Sequence, residues 1–217
     1  MVTKMEEGIK LADERKATPI LSGLPDELLM EHVVRGNEAA FATLVDRYKS
    51  RMINLICRFI NDRDRAQEIA QEVFLRVFIH RERYRPSGKF STWIYTIAVN
   101  LTKNEIRRRV RAKGIVSLDN LIETAGDSSR FMADPGPRPD RRLRQREIQE
   151  WVERAMVELP EKYREVIILR DVQGLAYEEI EQVLGIPGGT VRSRINRARA
   201  SLQERLGALA EGGIDAL

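Results

Sequence analysis

The stretch Tyr177–Arg199, YEEIEQVLGIPGGTVRSRINRAR, contains two short helical patterns separated by a tight turn. Gly185 can adopt the left-handed conformation that begins such a turn, and the turn is expected to run to Gly188. Apolar residues at helical spacing are expected to face one shared core: Ile180, Leu184, Ile186, Val191 and Ile195. The spacing predicts a helix-turn-helix whose second helix turns its basic side chains outward.

The second helix of this motif, expected over residues 189–199, carries side chains suited to a DNA major groove. Arginine forks pair with guanine edges, while serine and threonine hydroxyls hold phosphates. The candidate duplex contacts are Gly189, Thr190, Arg192, Ser193, Arg194 and Arg197. The alternative is a solvated basic face on an ordinary helical hairpin. Because turn, core spacing and charge agree, DNA binding is the stronger interpretation.

Helical periodicity also organises the N-terminal half of the chain. A short helix is expected to end at Gly36, after which Asn37 caps a long amphipathic helix that breaks at Asn61. A third amphipathic helix precedes a Pro-Ser-Gly turn at 86–88. Beyond that turn, Ser91 is expected to cap a helix that is apolar in its first half and basic in its second.

Periodicity disappears between Lys113 and Asp140, where glycine, proline and serine accumulate. No alternating stretch is long enough to predict a strand. The expected fold is therefore all-α, with two small helical domains joined by a flexible linker and the helix-turn-helix in the second. The predicted boundaries are an N-terminal extension at 1–24, a first domain at 25–112, a linker at 113–140, a second domain at 141–208 and a tail at 209–217.

Composition excludes several functional classes. The net charge of +4, from 37 Lys+Arg against 33 Asp+Glu, is weak support for nucleic-acid binding, so the distribution of charge carries that argument. One cysteine excludes an internal disulfide, and two distant histidines leave no zinc-like spacing. No signal peptide or membrane span is visible, which predicts a soluble cytoplasmic protein. Without a phosphate loop or a Cys/His pair, we expect no enzyme, metal or cofactor.

Short motifs along both halves of the chain point beyond the helix-turn-helix. The C-terminal set comprises Leu159-Pro160, Gly174-Leu175 and the pattern at 184–199, and the N-terminal set comprises 71–78 and 90–94. Together they resemble the extracytoplasmic-function, or group-four, sigma factors of bacterial RNA polymerase, over roughly residues 26–206. The resemblance implies that the first domain reads and opens the minus-ten promoter element, while the second holds the minus-thirty-five element as duplex.

The resemblance implies two further sets of functional residues. One set would dock on the clamp of the largest polymerase subunit: Gln71, Glu72, Phe74, Leu75 and Arg76. The other would read and melt the minus-ten element, with the loop at 85–89 holding an extruded base: Arg85, Ser87, Gly88, Lys89, Asn100, Lys103, Asn104, Arg107, Arg108 and Arg111. Melting needs surfaces that capture unstacked bases, for which Phe90, Trp93 and Tyr95 are candidates. Helical spacing favours a core position for Trp93 instead.

The partners implied by the resemblance are core RNA polymerase, promoter DNA and an anti-sigma factor that is either membrane-anchored or soluble. On the polymerase, the contacts would be the clamp of the largest subunit and the flap of the second-largest. No small-molecule substrate is implied, and the free protein is expected to be a monomer. The competing hypothesis is a stand-alone helix-turn-helix repressor or activator, which would bind a palindrome as a symmetric dimer.

Three residues depart from the pattern usual in this family. Glu181 stands where a small residue is usual, Gly188 where a bulky one is usual, and Asn104 where an aspartate is common. These departures bear on the choice of target sequence rather than on the fold.

Overall fold

The computed structural model describes residues 21–86, 88–113, 148 and 151–214. Every regular element in these ranges is a helix, which confirms the all-α prediction. The described residues form two compact units that divide after Arg107. The expected linker from residue 114 onward, the extension up to residue 20, the start of the second domain at 141 and the last three residues of the tail lie outside these ranges.

The described part of the first unit contains α1 (Asp26–Val34), α2 (Glu38–Ile60), α3 (Arg63–Ile79), a 3₁₀ turn at Arg81–Arg83 and most of α4 (Phe90–Lys113), a helix that continues past the division at Arg107. The long helix α2 packs against both α1 and α3. The core of the unit draws fully buried side chains from all four helices, among them Leu29, Leu44, Leu55, Val73 and Ile94. Burying each such side chain contributes about 1.5–3 kcal/mol relative to exposure, which is enough to hold short connections in place.

Local sequence determines most helix ends in this unit. The side chain of Asn37 accepts a hydrogen bond of 3.0 Å from the Ala40 N–H, which confirms the predicted cap. At the far end of α2, Asn61 takes the left-handed conformation with φ 49°. Packed structure also begins upstream of the predicted domain start, because Leu21 is buried and the Ser22 carbonyl accepts a hydrogen bond from Arg47.

The predicted start of α4 was wrong. The helix begins at Phe90, so Ser91 is its second residue and not its cap. The Phe90 N–H instead donates a hydrogen bond of 3.1 Å to the carboxylate of Glu27, which lies on α1. A cap supplied by a distant helix leaves no local signal in the sequence, and this one joins α1 to the start of α4.

The second unit contains a helix at 151–158, here called α5, followed by α6 (Glu161–Ile167), a π-helical turn (Ile168–Val172), α7 (Tyr177–Leu184) and α8 (Gly188–Ile214). The long helix α8 packs against α6 and α7. The side chains that close this core are almost fully buried: Ala155, Leu159, Val166, Leu169, Ile180, Val191, Ile195 and Ala198.

Helices α7 and α8 form the predicted helix-turn-helix, with two local differences. Gly185 has φ 65°, as the turn requires. However, α8 begins at Gly188, so the turn is one residue shorter than expected. In the core, Val183 is buried beside Ile180, whereas the predicted Leu184 and Ile186 are only half-buried. Positions 183 and 184 lie three and four residues after Ile180, at similar angles on either side of its direction. In a helix of only eight residues, periodicity alone does not decide which of the two is buried.

Candidate nucleic-acid interface

The first four turns of α8 carry the predicted duplex-binding residues on the side away from the core. Val191, Ile195 and Ala198 are buried at spacings of three and four residues, which orients the helix. The predicted contacts lie between them: Gly189, Arg192, Ser193 and Arg197 are exposed, and Thr190 and Arg194 are half-buried. The Ser193 hydroxyl donates a hydrogen bond of 3.0 Å to the Thr190 carbonyl. Arg192 and Arg197 are therefore accessible enough to enter a groove, and Arg194 is partly accessible.

Arg199, the next arginine along this basic face, forms an ion pair within the second unit. Its Nε and Nη2 donate hydrogen bonds of 3.1 and 2.5 Å to the carboxylate of Asp171, in the π-helical turn. Hydrogen bonding to Asp171 raises the pKa of the Arg199 guanidinium. The pair is exposed, so it contributes at most about 1 kcal/mol to stability. Sequence reasoning missed it because the two residues are 28 positions apart.

A second polar and basic surface follows the outer side of α4. Asn100, Asn104, Arg107 and Arg111 recur at spacings of three and four residues, and all four are exposed. We call these four residues the α4 strip. Of the other predicted residues on this helix, Arg108 is exposed and Lys103 is half-buried. Arg107 donates a hydrogen bond of 3.3 Å to Asn104. The predicted minus-ten residues of α4 therefore share one accessible region.

The opposite side of α4 is anchored by a buried carboxylate. Glu105 is only 5% exposed, and its Oε2 accepts a hydrogen bond of 3.0 Å from Arg65 Nη2 on α3. Arg65 also pairs with Glu68. The hydrogen bond with Glu105, followed by that with Glu68, raises the pKa of Arg65. This contact, between residues 40 positions apart, fixes the basic half of α4 to the body of the unit.

Replacing Glu105 by alanine is expected to lower the free energy of unfolding by about 1.5–3 kcal/mol, the usual contribution of a hydrogen bond to a charged group. Urea denaturation followed by circular dichroism measures the change. Glu68→Ala is the matched control, because it removes the exposed partner of the same arginine and is expected to cost less than about 1 kcal/mol. Equal losses for the two variants would contradict an anchoring role for Glu105.

The loop before α4 is closed by a tyrosine that the sequence analysis did not identify. The Tyr84 hydroxyl donates a hydrogen bond of 2.8 Å to the Gly88 carbonyl, and the Gly88 N–H donates one of 3.1 Å to the Arg85 carbonyl. Burial raises the pKa of Tyr84 to about 12, so the hydroxyl keeps its proton at neutral pH. Arg85, Gly88 and Lys89 are exposed, whereas Ser87 lies outside the described residues.

The aromatic side chains near this loop do not all suit base capture. Phe90 is fully buried and Tyr95 is 2% exposed, so both belong to the core and the expectation that they capture bases was wrong. Trp93 is half-buried, although its spacing favoured the core, and its ring centroid lies 5.4 Å from that of Tyr84. Among these three, only Trp93 presents part of a ring at the surface beside the loop.

Helix α3 presents an apolar strip that is larger than expected. Leu75, Phe78 and Ile79 are 56%, 37% and 58% exposed, and we call them the α3 apolar strip. Among the residues predicted to bind polymerase, Gln71, Leu75 and Arg76 are exposed and Glu72, which pairs with Arg76 at 2.7 Å, is half-buried. A cluster of exposed apolar side chains on a charged protein marks an interaction surface.

One predicted polymerase contact is wrong as a surface residue. Phe74 is 8% exposed and lies on the core side of α3, with the buried Ala70 four residues before it and the buried Val77 three residues after it. The predicted set was taken from a continuous motif, whereas a helix exposes only some positions of any such run. Two exposed apolar residues were not in the predicted set: Phe78, the last residue of the motif at 71–78, and Ile79, which directly follows it.

Comparisons with known proteins agree with this geometry. The family model described as Sigma-70 region 2 matches residues 44–112, and that described as Sigma-70, region 4, matches residues 149–202. The chain is 37% identical to the RNA polymerase sigma-H factor of Pseudomonas aeruginosa over 185 residues, which covers 83% of this chain and 93% of that protein. The chain belongs to the extracytoplasmic-function sigma factors. It is thus a promoter-specificity subunit of bacterial RNA polymerase, and the stand-alone repressor hypothesis is set aside.

Other sigma factors match this one to a similar extent. It is 36% identical to the ECF RNA polymerase sigma factor SigW of Bacillus subtilis over 182 residues, covering 82% of this chain and 94% of that one. Its fold resembles that of the sigma factor RpoE of Bartonella quintana, solved in complex with the anti-sigma factor NepR, with a TM-score of 0.62 at 22% identity, covering 77% of this chain and 96% of that one.

The described residues contain neither a membrane-spanning helix nor a metal-ligand group. No helix in these ranges is long and apolar enough to cross a membrane. The same residues contain no group of histidine, cysteine, aspartate and glutamate side chains able to hold a metal ion. The cysteine, Cys57, is buried, and its burial raises the pKa of the thiol. The accessible surface of the described residues includes the α3 apolar strip and the basic faces of α4 and α8.

Proposed function

We propose that this sigma factor divides promoter recognition between its two units, with the first domain at 25–112 opening the minus-ten element and the second at 141–208 holding the minus-thirty-five duplex. The observation that carries the proposal is that each unit turns one coherent polar and basic face away from its core, the α4 strip in the first and the start of α8 in the second. One face alone would suffice for a simple DNA-binding protein.

The α4 strip is suited to bases that have left the duplex. Unstacking a base step costs a few kcal/mol, which the protein must offset by binding the released strand. Asn100 and Asn104 each offer an amide that both donates and accepts, as the edge of an unpaired base requires. Arg107, Arg108 and Arg111 supply charge for the phosphates that follow, together with Lys103. The loop at 85–89, held by Tyr84, would receive one extruded base.

Promoter melting by the α4 strip is tested with the double variant Asn100→Ala, Asn104→Ala in holoenzyme reconstituted with core RNA polymerase. We expect permanganate reactivity of unpaired thymines around the start site to fall by about tenfold or more, while protection of the minus-thirty-five region by DNase footprinting remains. Asn54→Ala is the control, because Asn54 is an exposed asparagine on α2, away from the strip. A wild-type permanganate pattern in the double variant would refute this role.

Docking on core polymerase is assigned to α3. The clamp of the largest subunit would bury the α3 apolar strip, and Gln71, Glu72 and Arg76 would lie at the polar rim of this interface. The second domain would contact the flap of the second-largest subunit. In this arrangement the free protein is a cytoplasmic monomer without enzymatic activity, substrate or cofactor, and it becomes promoter-specific only on the polymerase.

Regulation is assigned to an anti-sigma factor. Support comes from the shared fold of the Bartonella quintana sigma factor, which was solved in complex with an anti-sigma factor. An inhibitor that covers the α3 apolar strip would compete with the polymerase for the same residues. Affinity capture of the tagged protein from its native cells should recover either core polymerase or a single small inhibitory protein, and recovery of neither would contradict the assignment.

A further inference from the structure

The carboxylate of Glu181 lies beside the first residue of the recognition helix. Gly188 begins α8, and a Cβ atom placed on it would lie 2.9 Å from Glu181 Oε2 and 3.8 Å from its Cδ. The shorter distance is well inside van der Waals contact. The carboxylate therefore occupies the space in which a side chain at position 188 would begin. At Gly189, by contrast, nothing lies within 4 Å of the corresponding Cβ position.

The backbone of Glu181 is hydrogen-bonded to the turn that leads into α8. Its carbonyl accepts hydrogen bonds from the N–H groups of Gly185, at 2.8 Å, and Ile186, at 3.3 Å. The left-handed conformation of Gly185 makes this tight turn possible. Two residues later, the Pro187 carbonyl accepts the first hydrogen bonds of α8. The position of Glu181 at the entrance to the recognition helix is thus built into the turn.

The Glu181 carboxylate is available to a ligand. The side chain is exposed, and within the described residues it forms no hydrogen bond or ion pair. Its oxygens offer about four acceptor sites and no donor. The positive end of the helix dipole at the start of α8 favours a negative charge there. An acceptor-only group therefore lies beside the first residue of α8, and the N-terminal residues of a recognition helix are those that contact base edges.

We infer that Glu181 is a specificity-determining residue that accepts a hydrogen bond from the exocyclic amino group of a cytosine in the minus-thirty-five element; this inference rests on the role proposed for α8. Cytosine presents an N4 amino donor in the major groove, and carboxylates are its usual protein partners. A phosphate would repel the carboxylate, which excludes the DNA backbone as its target. The absence of a side chain at Gly188 is needed for this contact, because a Cβ atom there would displace the Glu181 carboxylate.

The inference is tested by transcription from a promoter library in which the minus-thirty-five element is randomised, with core RNA polymerase and each variant. Sequencing of the transcribed templates gives the base preference at every position. For Glu181→Ala we expect the preference for cytosine at one position to fall by at least about fivefold, the lower end for one base-specific contact, with the other positions unchanged. Glu178→Ala is the control, because it removes an exposed carboxylate from the same helix α7 that does not contact position 188.

A second variant tests the coupling between the two residues. In Gly188→Ala the new Cβ would push the carboxylate aside, so the same position should lose its preference for cytosine. The double variant Glu181→Ala, Gly188→Ala should show no further loss at that position, because both changes remove one interaction.

Two results would overturn the inference. One is a Glu181→Ala variant that transcribes with unchanged preference at every position. The other is a change confined to the position that Arg192→Ala alters, since Glu181 would then act by orienting that arginine. Absence of promoter-dependent transcription with the unaltered protein would instead contradict the proposed function, so the two failures are distinguishable.

Discussion

Replacing Leu75 by aspartate is expected to weaken binding to core RNA polymerase by at least about thirtyfold. Leu75 is 56% exposed in the α3 apolar strip, between the exposed Gln71 and Ile79 of the same helix face. A carboxylate there would lose its water on docking without gaining a partner, and substitution of a central interface residue commonly costs 2 kcal/mol or more. Competition for core polymerase against the labelled wild-type protein measures the loss.

The control for this variant is Leu28→Asp. Leu28 is 43% exposed on α1, so the same chemical change is made at a similarly accessible leucine outside the α3 apolar strip. We expect its affinity for core polymerase to stay within about threefold of the wild type, and both variants to unfold as the wild type does. Equal binding by the two variants would mean that α3 does not form the docking surface.

Replacing both Arg192 and Arg194 by alanine is expected to weaken strongly the dependence of transcription on the minus-thirty-five sequence. Each arginine that pairs with a guanine contributes about 1–3 kcal/mol of discrimination, so the double variant should lose roughly 30-fold or more. Run-off transcription from a cognate promoter and from one with a scrambled minus-thirty-five element measures this ratio. The ratio should fall by that factor in the double variant.

The matched control for the recognition helix is Arg199→Ala, on the same helix α8. Because Arg199 is already paired with Asp171, its removal changes the charge of the helix without removing a free guanidinium. It should reduce transcription from both promoters alike, through the loss of general attraction to phosphates. Retention of the wild-type ratio in the Arg192, Arg194 double variant would refute the assignment of α8 as the recognition helix.

Much of the fold follows from periodicity and turn chemistry. The helix-turn-helix at 177–199, the cap at Asn37 and the end of α2 at Asn61 were all predictable because each depends on residues within one or two turns. The start of α4 was not predictable, since its first N–H is satisfied by Glu27, 63 residues earlier. Likewise, nothing in the local sequence assigns Glu105 to Arg65.

In the candidate sites too, features that depend on neighbouring residues could be predicted from the sequence, and those that depend on distant contacts could not. Helical spacing places Arg192 and Asn104 on outer faces, because the buried positions beside them are recognisable from sequence. A motif taken as a continuous run is less reliable, as the buried Phe74 shows. The contact between Glu181 and Gly188 depends on the geometry of the turn, so the sequence identified both as unusual without indicating that they meet.

The central claim is most directly tested by run-off transcription with purified core RNA polymerase, this protein and a pool of genomic fragments. Sequencing identifies the start sites that arise only when the protein is added. The account predicts discrete new starts that share two spaced upstream elements, near minus ten and minus thirty-five. No new starts, together with tight binding of the protein alone to a palindromic site, would contradict it.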